Sequence, residues 1–316
     1  MMEDVQRVLN RIVKNVEKVI VGKRDAIELV VSALACGGHV LLEDIPGVGK
    51  TRLASALAAS VDCDFRRIQF TPDILPSDIT GFSVFNPKDG VFTFRPGPVI
   101  SHFVLADEIN RASPKTQASL LEIMEENQVT VDSQTHPLPQ PFMVLATQNP
   151  IEFVGTYPLP EAQIDRFLIR ISLGYPAFEE EMRILLDGKG RKTRLTPVAT
   201  AADLLGIREA VEQVRVDESI ARYIVAIVTG TRRHSGIELG VSPRGSLALL
   251  HLARAYALLR GREYVVPDDV RTLAPHALCH RIRLNGAARL DGRTDQDVLD
   301  EVLSGVPAPS LVQNRP

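Results

Sequence analysis

The sequence predicts an α/β fold, a five-stranded parallel sheet with helices on its faces, followed by an all-helical C-terminal part. Three observations carry this. Five short apolar or β-branched runs alternate with helical patterns up to about residue 173. The first run leads through "EDIPGVGKT" (43–51) straight into a helical pattern, as in a phosphate-binding α/β unit. From Phe178 onward only helical patterns follow, with no convincing strand.

The N-terminal "MMEDVQRVLNRIVKNVEKVIVGKRD" carries charges throughout and reads as an interrupted amphipathic helix rather than a leader peptide. The predicted strands are "HVLLE" (39–43), "RRIQF" (66–70), "FVLAD" (103–107), "FMVLAT" (142–147) and "FLIRISL" (167–173). Continuous apolar runs of this kind suit strands buried on both faces. Two segments interrupt the alternation. "GFSVFNPKDGVFTFR" (81–95) places β-formers on both sides of Asp89-Gly90, a hairpin signal, and "QVTVDSQTHPLPQPFMV" contains a second hairpin candidate. After "GYPAFEEEM" the helices begin, and Leu247, Leu250 and the alanines of "SLALLHLARAYALL" recur at helical spacing as a core face. The expected domains are residues 1–176 and 177–316.

With 316 residues and 45% hydrophobic content, the chain is long enough for two modest cores. Its formal net charge of −3 makes it no general attractor for nucleic acid or an anionic membrane, and the basic "GKGRKTR" (188–194) reads as a solvated loop. Cys36, Cys63 and Cys279 lack metal-ligand spacing and fit reduced thiols, hence a cytoplasmic protein. No apolar run reaches the roughly 20 residues of a membrane span.

The chemistry begins at the loop. Gly47 and Gly49 allow backbone N–H groups to converge on phosphate oxygens, and the following helix adds the positive end of its dipole. Pro46, Val48 and Arg52 complete the expected phosphate-binding set around Lys50, which would reach the outer phosphates, and Thr51, which would ligate magnesium. Asp44 stands where the general pattern has its first glycine; aspartate tolerates unusual dihedrals, so the exchange is compatible with the loop. Asp107, at the end of its strand, is the second candidate magnesium ligand, and Glu108 the candidate base that polarises a water for in-line attack. Asn149, just past the next strand, can help orient that water.

The strings "LLEDIPGVGKT", "LADEINRASPKTQASLLEIMEE", "VLATQNPIEFVGTYPLPEAQIDRFLIR" and "GVSPRGSLALLHLARAYALLRGREYVVPDDV" closely resemble the MoxR family of AAA+ ATPases, across about residues 5 to 310. Loops of that family often carry Asp at the position of Asp44. The resemblance implies an AAA+ core with a helical lid, the cofactors ATP and Mg2+, and a hexameric or otherwise oligomeric ring with ATP between protomers. It makes Lys50 and Thr51 Walker A, Asp107 and Glu108 Walker B, and Asn149 the first sensor. It assigns Arg166 as the arginine finger reaching the neighbour's ATP and Arg244 as the second sensor on the lid, with Arg111 a competitor for an interface role. Val21 and Gly22 fall where related ATPases contact adenine. Residues of about 71–100 match a helix-2 insert and about 128–141 a hairpin before the first sensor, both directed toward the ring pore in related ATPases.

Physically, Pro160 opens a short helix carrying Arg166, and Ser242 and Pro243 form an N-cap and first position ahead of Arg244. Each guanidinium is thereby expected at an element end facing outward. The expected activity is ATP hydrolysis coupled to chaperone-like remodelling or maturation of client proteins, with a von Willebrand factor A domain protein as the implied partner. Rival readings are the ATPase motor of a metal chelatase, a DNA-processing motor and a nucleotide-switched scaffold. Neither nucleic-acid binding nor membrane insertion is expected.

Overall fold

The computed structural model describes residues 2–45, 47–88, 90–149, 155–186 and 195–309. Helices α1 (Met2–Glu17) and α2 (Arg24–Ala35) precede β1 (Val40–Glu43), and the phosphate-loop helix α3 (Lys50–Ser60) leads to β2 (Phe65–Gln69). A short helix α4 (Pro76–Thr80) opens a hairpin of β3 (Gly81–Asn86) and β4 (Val91–Pro96). Next come β5 (Phe103–Asp107), α5 (Pro114–Glu126) and a second hairpin, β6 (Gln128–Val131) and β7 (Gln134–Pro137). The core closes with β8 (Met143–Gln148), α6 (Glu161–Ile164) and β9 (Ile169–Ile171).

The five parallel strands lie in the order β2-β5-β8-β1-β9. Successive residues point to opposite faces of a strand, and here both faces are covered. Leu41, Val104, Val144 and Ala146 pack against Leu120, Leu121 and Met124 of α5. Val40, Leu42, Leu105 and Leu145 pack on the other side with α1, α2 and α3. Edge strand β2 departs from the expected two-sided burial: of its residues only Ile68 is buried, and Arg66 and Arg67 are exposed. Because β1 adjoins β8 and β9 while the chain moves from β1 to the far edge, a crevice opens outside the strands' carboxyl ends, where open α/β sheets bind ligands.

The C-terminal region contains α7 (Phe178–Leu186), α8 (Ala201–Glu212), α9 (Glu218–Arg233), α10 (Pro243–Leu259), α11 (Pro267–Leu278), α12 (Gly286–Leu290) and α13 (Asp295–Gly305). It is not wholly helical, since β10 (Ile237–Leu239) and β11 (Arg283–Leu284) form a small antiparallel pair, too short to leave a pattern in the sequence. Its core also includes the N-terminal helices, because α10 packs on α1 and α2. The buried residues of α10 include Gly245, Ala248, Leu249 and Leu252; Leu247, expected in the core, is 56% exposed. Leucines fill successive positions there, so spacing alone fits more than one face. Among the described residues no helix is long and apolar enough to cross a membrane.

The two hairpins meet where Phe94 stacks on His136, with ring centroids 4.0 Å apart and planes 10° from parallel. Phe82, Phe85 and Phe92 remain exposed. Gly90 has the positive φ of 67° that the turn prediction requires, while Asp89 lies outside the described residues. So does the basic 188–194 stretch.

Candidate nucleotide site

The crevice holds a cavity of about 360 Å³ lined by Gly47, Gly49, Lys50, Thr51, Arg52, Arg67, Asp107, Glu108 and Asn149. It is not the roomiest concavity. A groove of about 630 Å³ runs along α9, but its lining, which includes Arg222, Val225, Thr229 and Arg233, contains no carboxylate.

Gly47 and Gly49 adopt φ of 89° and 100°, and a side chain built at either would meet nothing within 4 Å. The loop therefore turns its backbone to open space, and Gly49 hands over directly to α3, whose N-terminus faces the cavity. Lys50 Nζ donates to the backbone carbonyl of Asp44 at 2.7 Å. The Asp44 carboxylate turns the other way, accepting the backbone N–H groups of Leu173 and, at 3.1 Å, Gly174, just past β9. Asp44 is buried there, so its charge serves the sheet's exit instead of opposing phosphate. Val48 packs against the apolar core, and Pro46 lies outside the described residues.

The two acids at the end of β5 are held by one hydroxyl. Thr147 Oγ1 donates to Asp107 Oδ1 at 2.6 Å and accepts the N–H of Glu108 at 2.8 Å. Glu108 sits in the left-handed region with φ of 57°, a turn that carries its side chain away from that of Asp107. Its carboxylate accepts Gln69 Nε2 at 2.9 Å and pairs with Arg111 Nε at 3.0 Å. Arg111, the competitor for an interface role, is thus turned toward its own chain's Glu108. Arg67 donates to Asp107 Oδ2 from Nε at 3.0 Å and from a terminal nitrogen at 2.6 Å. Sequence reasoning passed over Arg67, Gln69 and Thr147. For the first two a signal existed, since they alternate along "RRIQF", and the parallel register sets Gln69 opposite Asp107. Asn149, buried at the end of β8, completes the cavity.

Magnesium suits this donor set. Among the described residues no three His, Cys, Asp or Glu side chains form a protein cage for a metal. Magnesium is commonly held by one or two carboxylates together with substrate phosphates, which is what Thr51 and Asp107 offer once Asp107 Oδ2 exchanges its Arg67 contacts for the ion.

The remaining predicted residues fall into two other places. Gly22 has φ of 74° and lies against the Glu180 carboxylate of α7, while Lys23 beside it donates to the Tyr175 carbonyl at 2.7 Å. Val21 and Gly22 are therefore at the passage from core to lid, outside the lining of the Lys50 cavity. Arg166 and Arg244 are brought together on Glu125 near the end of α5: Arg166 Nε is 3.0 Å from Oε2, and a terminal nitrogen of Arg244 contacts Oε1. Neither arginine lines the Lys50 cavity. The predicted N-cap Ser242 does stand at that position, but its hydroxyl donates to Asp165 at 3.1 Å instead of capping α10. Arg281 reaches into the same segment from the lid. It is almost fully buried and donates to Asp165 Oδ1 at 2.6 Å and to the Phe167 carbonyl at 2.7 Å. Burial pulls its pKa down and the Asp165 carboxylate opposes that fall.

The three cysteines are free thiols. Burial pushes Cys36 and Cys279 up to about 12 and Cys63 to about 11, which disfavours the thiolate at neutral pH.

Fold and site together define an AAA-type ATPase, a parallel sheet with a phosphate loop and paired strand-end acids beside a helical lid. Comparison with known proteins agrees. Residues 39–169 match the family model described as the ATPase family associated with various cellular activities (AAA), and residues 229–302 match the AAA lid domain. The chain is 52% identical to protein YeaC of Bacillus subtilis over 97% of each chain. It is 41% identical to Chaperone MoxR1 of Mycobacterium tuberculosis, over 96% of this chain and 83% of that one. A crystal structure from Cytophaga hutchinsonii, provisionally described as an ATPase, superposes with a TM-score of 0.91 at 38% identity, covering 98% of this chain and 97% of the other. The chain belongs to the MoxR family of AAA+ ATPases.

Proposed function

We propose that the protein hydrolyses ATP as one subunit of an oligomeric ring and uses the cycle to remodel client proteins in a chaperone-like role. The observation that carries this reading is the separation of the Lys50 cavity from the Arg166–Arg244 pair. A site with its base and phosphate loop in one place and two guanidiniums in another is completed when a second copy presents its arginines. Such a ring is expected to be six-membered, as the family resemblance implies. The name of the mycobacterial relative supports the chaperone reading.

Within the cavity, Lys50 and the N-terminus of α3 bind the phosphates, and Arg52 adds positive charge at the rim. Glu108 accepts the attacking water's proton, and Asn149 orients that water. For Glu108 to do so, its carboxylate must exchange the Gln69 and Arg111 contacts for water. Thr51 and Asp107 would hold Mg2+, which neutralises charge on the phosphates when bound. Arg166 stabilises charge developing on the neighbour's terminal phosphate, and Arg244 lies with it on the same face. Val21 and Gly22 would meet the adenine. The exposed Phe82, Phe85 and Phe92 face client or partner, a von Willebrand factor A domain protein being the partner the resemblance implies.

Mixing two inactive variants tests the reading. Lys50→Ala removes the loop cation and Arg166→Ala the finger, and neither alone should turn over ATP. Mixed rings should recover activity in proportion to productive neighbours. No recovery in verified mixed rings, or full activity in isolated monomers, would refute it.

A further inference from the structure

Glu125 stands out because two arginines from different elements converge on it. Its side chain is 43% exposed, as are those of Arg166 at 27% and Arg244 at 46%, and exposed ion pairs contribute little to stability. The arginines arrive from different parts of the fold, Arg166 from the turn after α6 and Arg244 from the first turn of lid helix α10. Their backbones are fixed relative to one another through Asp165, which accepts from Arg281 and from Ser242, both on the lid side. Three guanidiniums, Arg166, Arg244 and Arg281, thus face two carboxylates, Glu125 and Asp165, leaving one positive charge in excess.

Two guanidiniums repel unless an anion lies between them, and Glu125 supplies it. Each guanidinium has five N–H donors, and the carboxylate engages one side of each. What remains is a paired, partly exposed, net cationic surface whose geometry is set from behind. That arrangement suits an incoming phosphate, which accepts from two guanidiniums at once.

Resting on the between-subunit reading above, we infer that Glu125 is a positioning residue of the finger: it holds Arg166 and Arg244 side by side so that both address the phosphates of a nucleotide on the neighbouring copy. It acts on the neighbour's turnover and leaves its own chain's nucleotide affinity untouched, because it does not line the Lys50 cavity. Unclamped, the arginines rotate freely and pay the ordering at each turnover.

The test is a complementation map with full-length rings and ATP. Glu125→Ala should lower kcat about 10- to 100-fold, the scale of a misplaced catalytic group. Binding of a fluorescent ATP analogue should stay within about twofold, whereas a merely structural defect would move both binding and the unfolding midpoint. Glu125→Asp should restore part of the rate. Mixed with Lys50→Ala, Glu125→Ala should recover activity; mixed with Arg166→Ala it should not, since both then lack a working finger. Should Glu125→Ala not fold, the isosteric Glu125→Gln carries the same assay. Unchanged kcat, or rescue by Arg166→Ala instead of Lys50→Ala, overturns the inference while leaving the ring reading intact. Failure of Lys50→Ala and Arg166→Ala to rescue each other overturns both.

Discussion

The Lys50 cavity and the Arg166–Arg244 face are built by opposite means. Around Lys50 the phosphate-loop cations and both acids leave a strand end or the first turn of the following helix, with Arg67 added from within β2, and one hydroxyl, Thr147, orients both acids. The arginine face has no such local grammar. Its guanidiniums come from core and lid, and Glu125, Asp165 and Arg281 hold them through contacts more than 40 positions apart in the chain. A pocket made from sheet geometry is stable by construction, whereas a face that straddles two bodies is set by how they dock. The first can bind alone, and the second can respond to lid movement.

Separating binding from turnover sharpens that contrast most. Arg166→Ala should keep nucleotide affinity and lose about 10³ to 10⁵ in hydrolysis, measured by equilibrium titration beside steady-state turnover. Lys50→Ala should lose affinity itself, and equal affinities for the two variants would erase the distinction. Glu108→Gln comes next. It should bind ATP as tightly as the parent yet hydrolyse it about 10² to 10⁴ times more slowly, so retained turnover would point to another base.

Arg281 tests the docking directly. Replacing this buried cation by Met takes the charged partner from Asp165, leaving it only Ser242, and one of two contacts from the Phe167 carbonyl, at a cost of about 3–5 kcal/mol in a urea titration. A change below about 1 kcal/mol would show that the lid is held elsewhere.

A smaller effect comes from His39 behind the sheet. Its Nδ1 accepts the Val144 N–H at 3.0 Å, which leaves Nε2–H to donate to the Met124 carbonyl at 3.1 Å, so the ring is neutral. Burial lowers its pKa to about 4 from an ordinary 6.5. The unfolded chain binds the proton more readily, so stability falls as pH drops below about 6.5 and stops falling below about 4. Between pH 7.5 and 5 this single group should account for about 2 kcal/mol. His39→Gln should make that part of the profile shallower without flattening it, since burial also lowers the pKa of His251, His276 and His280, and an unchanged slope would assign the acid sensitivity to those groups. Smallest of all, Phe92→Ala should shift stability by less than about 0.5 kcal/mol, since Phe92 is 72% exposed, while impairing client processing. Large destabilisation would place this ring in a packed role.

The same contrast explains what could be read from the chain. The three inner strands, β1, β5 and β8, were visible because burial on both faces demands continuous apolar runs such as "FVLAD", and β9 at one edge carries a similar run. β2 resembled them only through Ile68 and its flanks, and its edge position, with Arg67 and Gln69 turned to the acids, emerges from strand order. Lys50, Thr51, Asp107, Glu108 and Asn149 could be gathered from motifs because each motif stands at a strand's carboxyl end. Glu125 and Arg281 could not, since a Glu late in a helix and an Arg in "CHRIRL" carry no local sign of a distant partner. Ser242 shows the limit plainly. Local rules place it correctly as the residue before α10, but tertiary competition redirects its hydroxyl to Asp165.

Asp44 carries a lesson for protein engineering. A sequence-averaging redesign would replace it with glycine, restoring the commoner phosphate-loop pattern and removing a carboxylate from the mouth of an anion site. Here that repair would be a lesion. The carboxylate fastens the N–H groups of Leu173 and Gly174, the stretch through which the sheet passes toward α7, while its carbonyl receives Lys50. One residue therefore serves as a buckle between the loop that grips phosphate and the strap that leads to the lid. Designs that transplant this loop onto another P-loop scaffold must carry the strap with it.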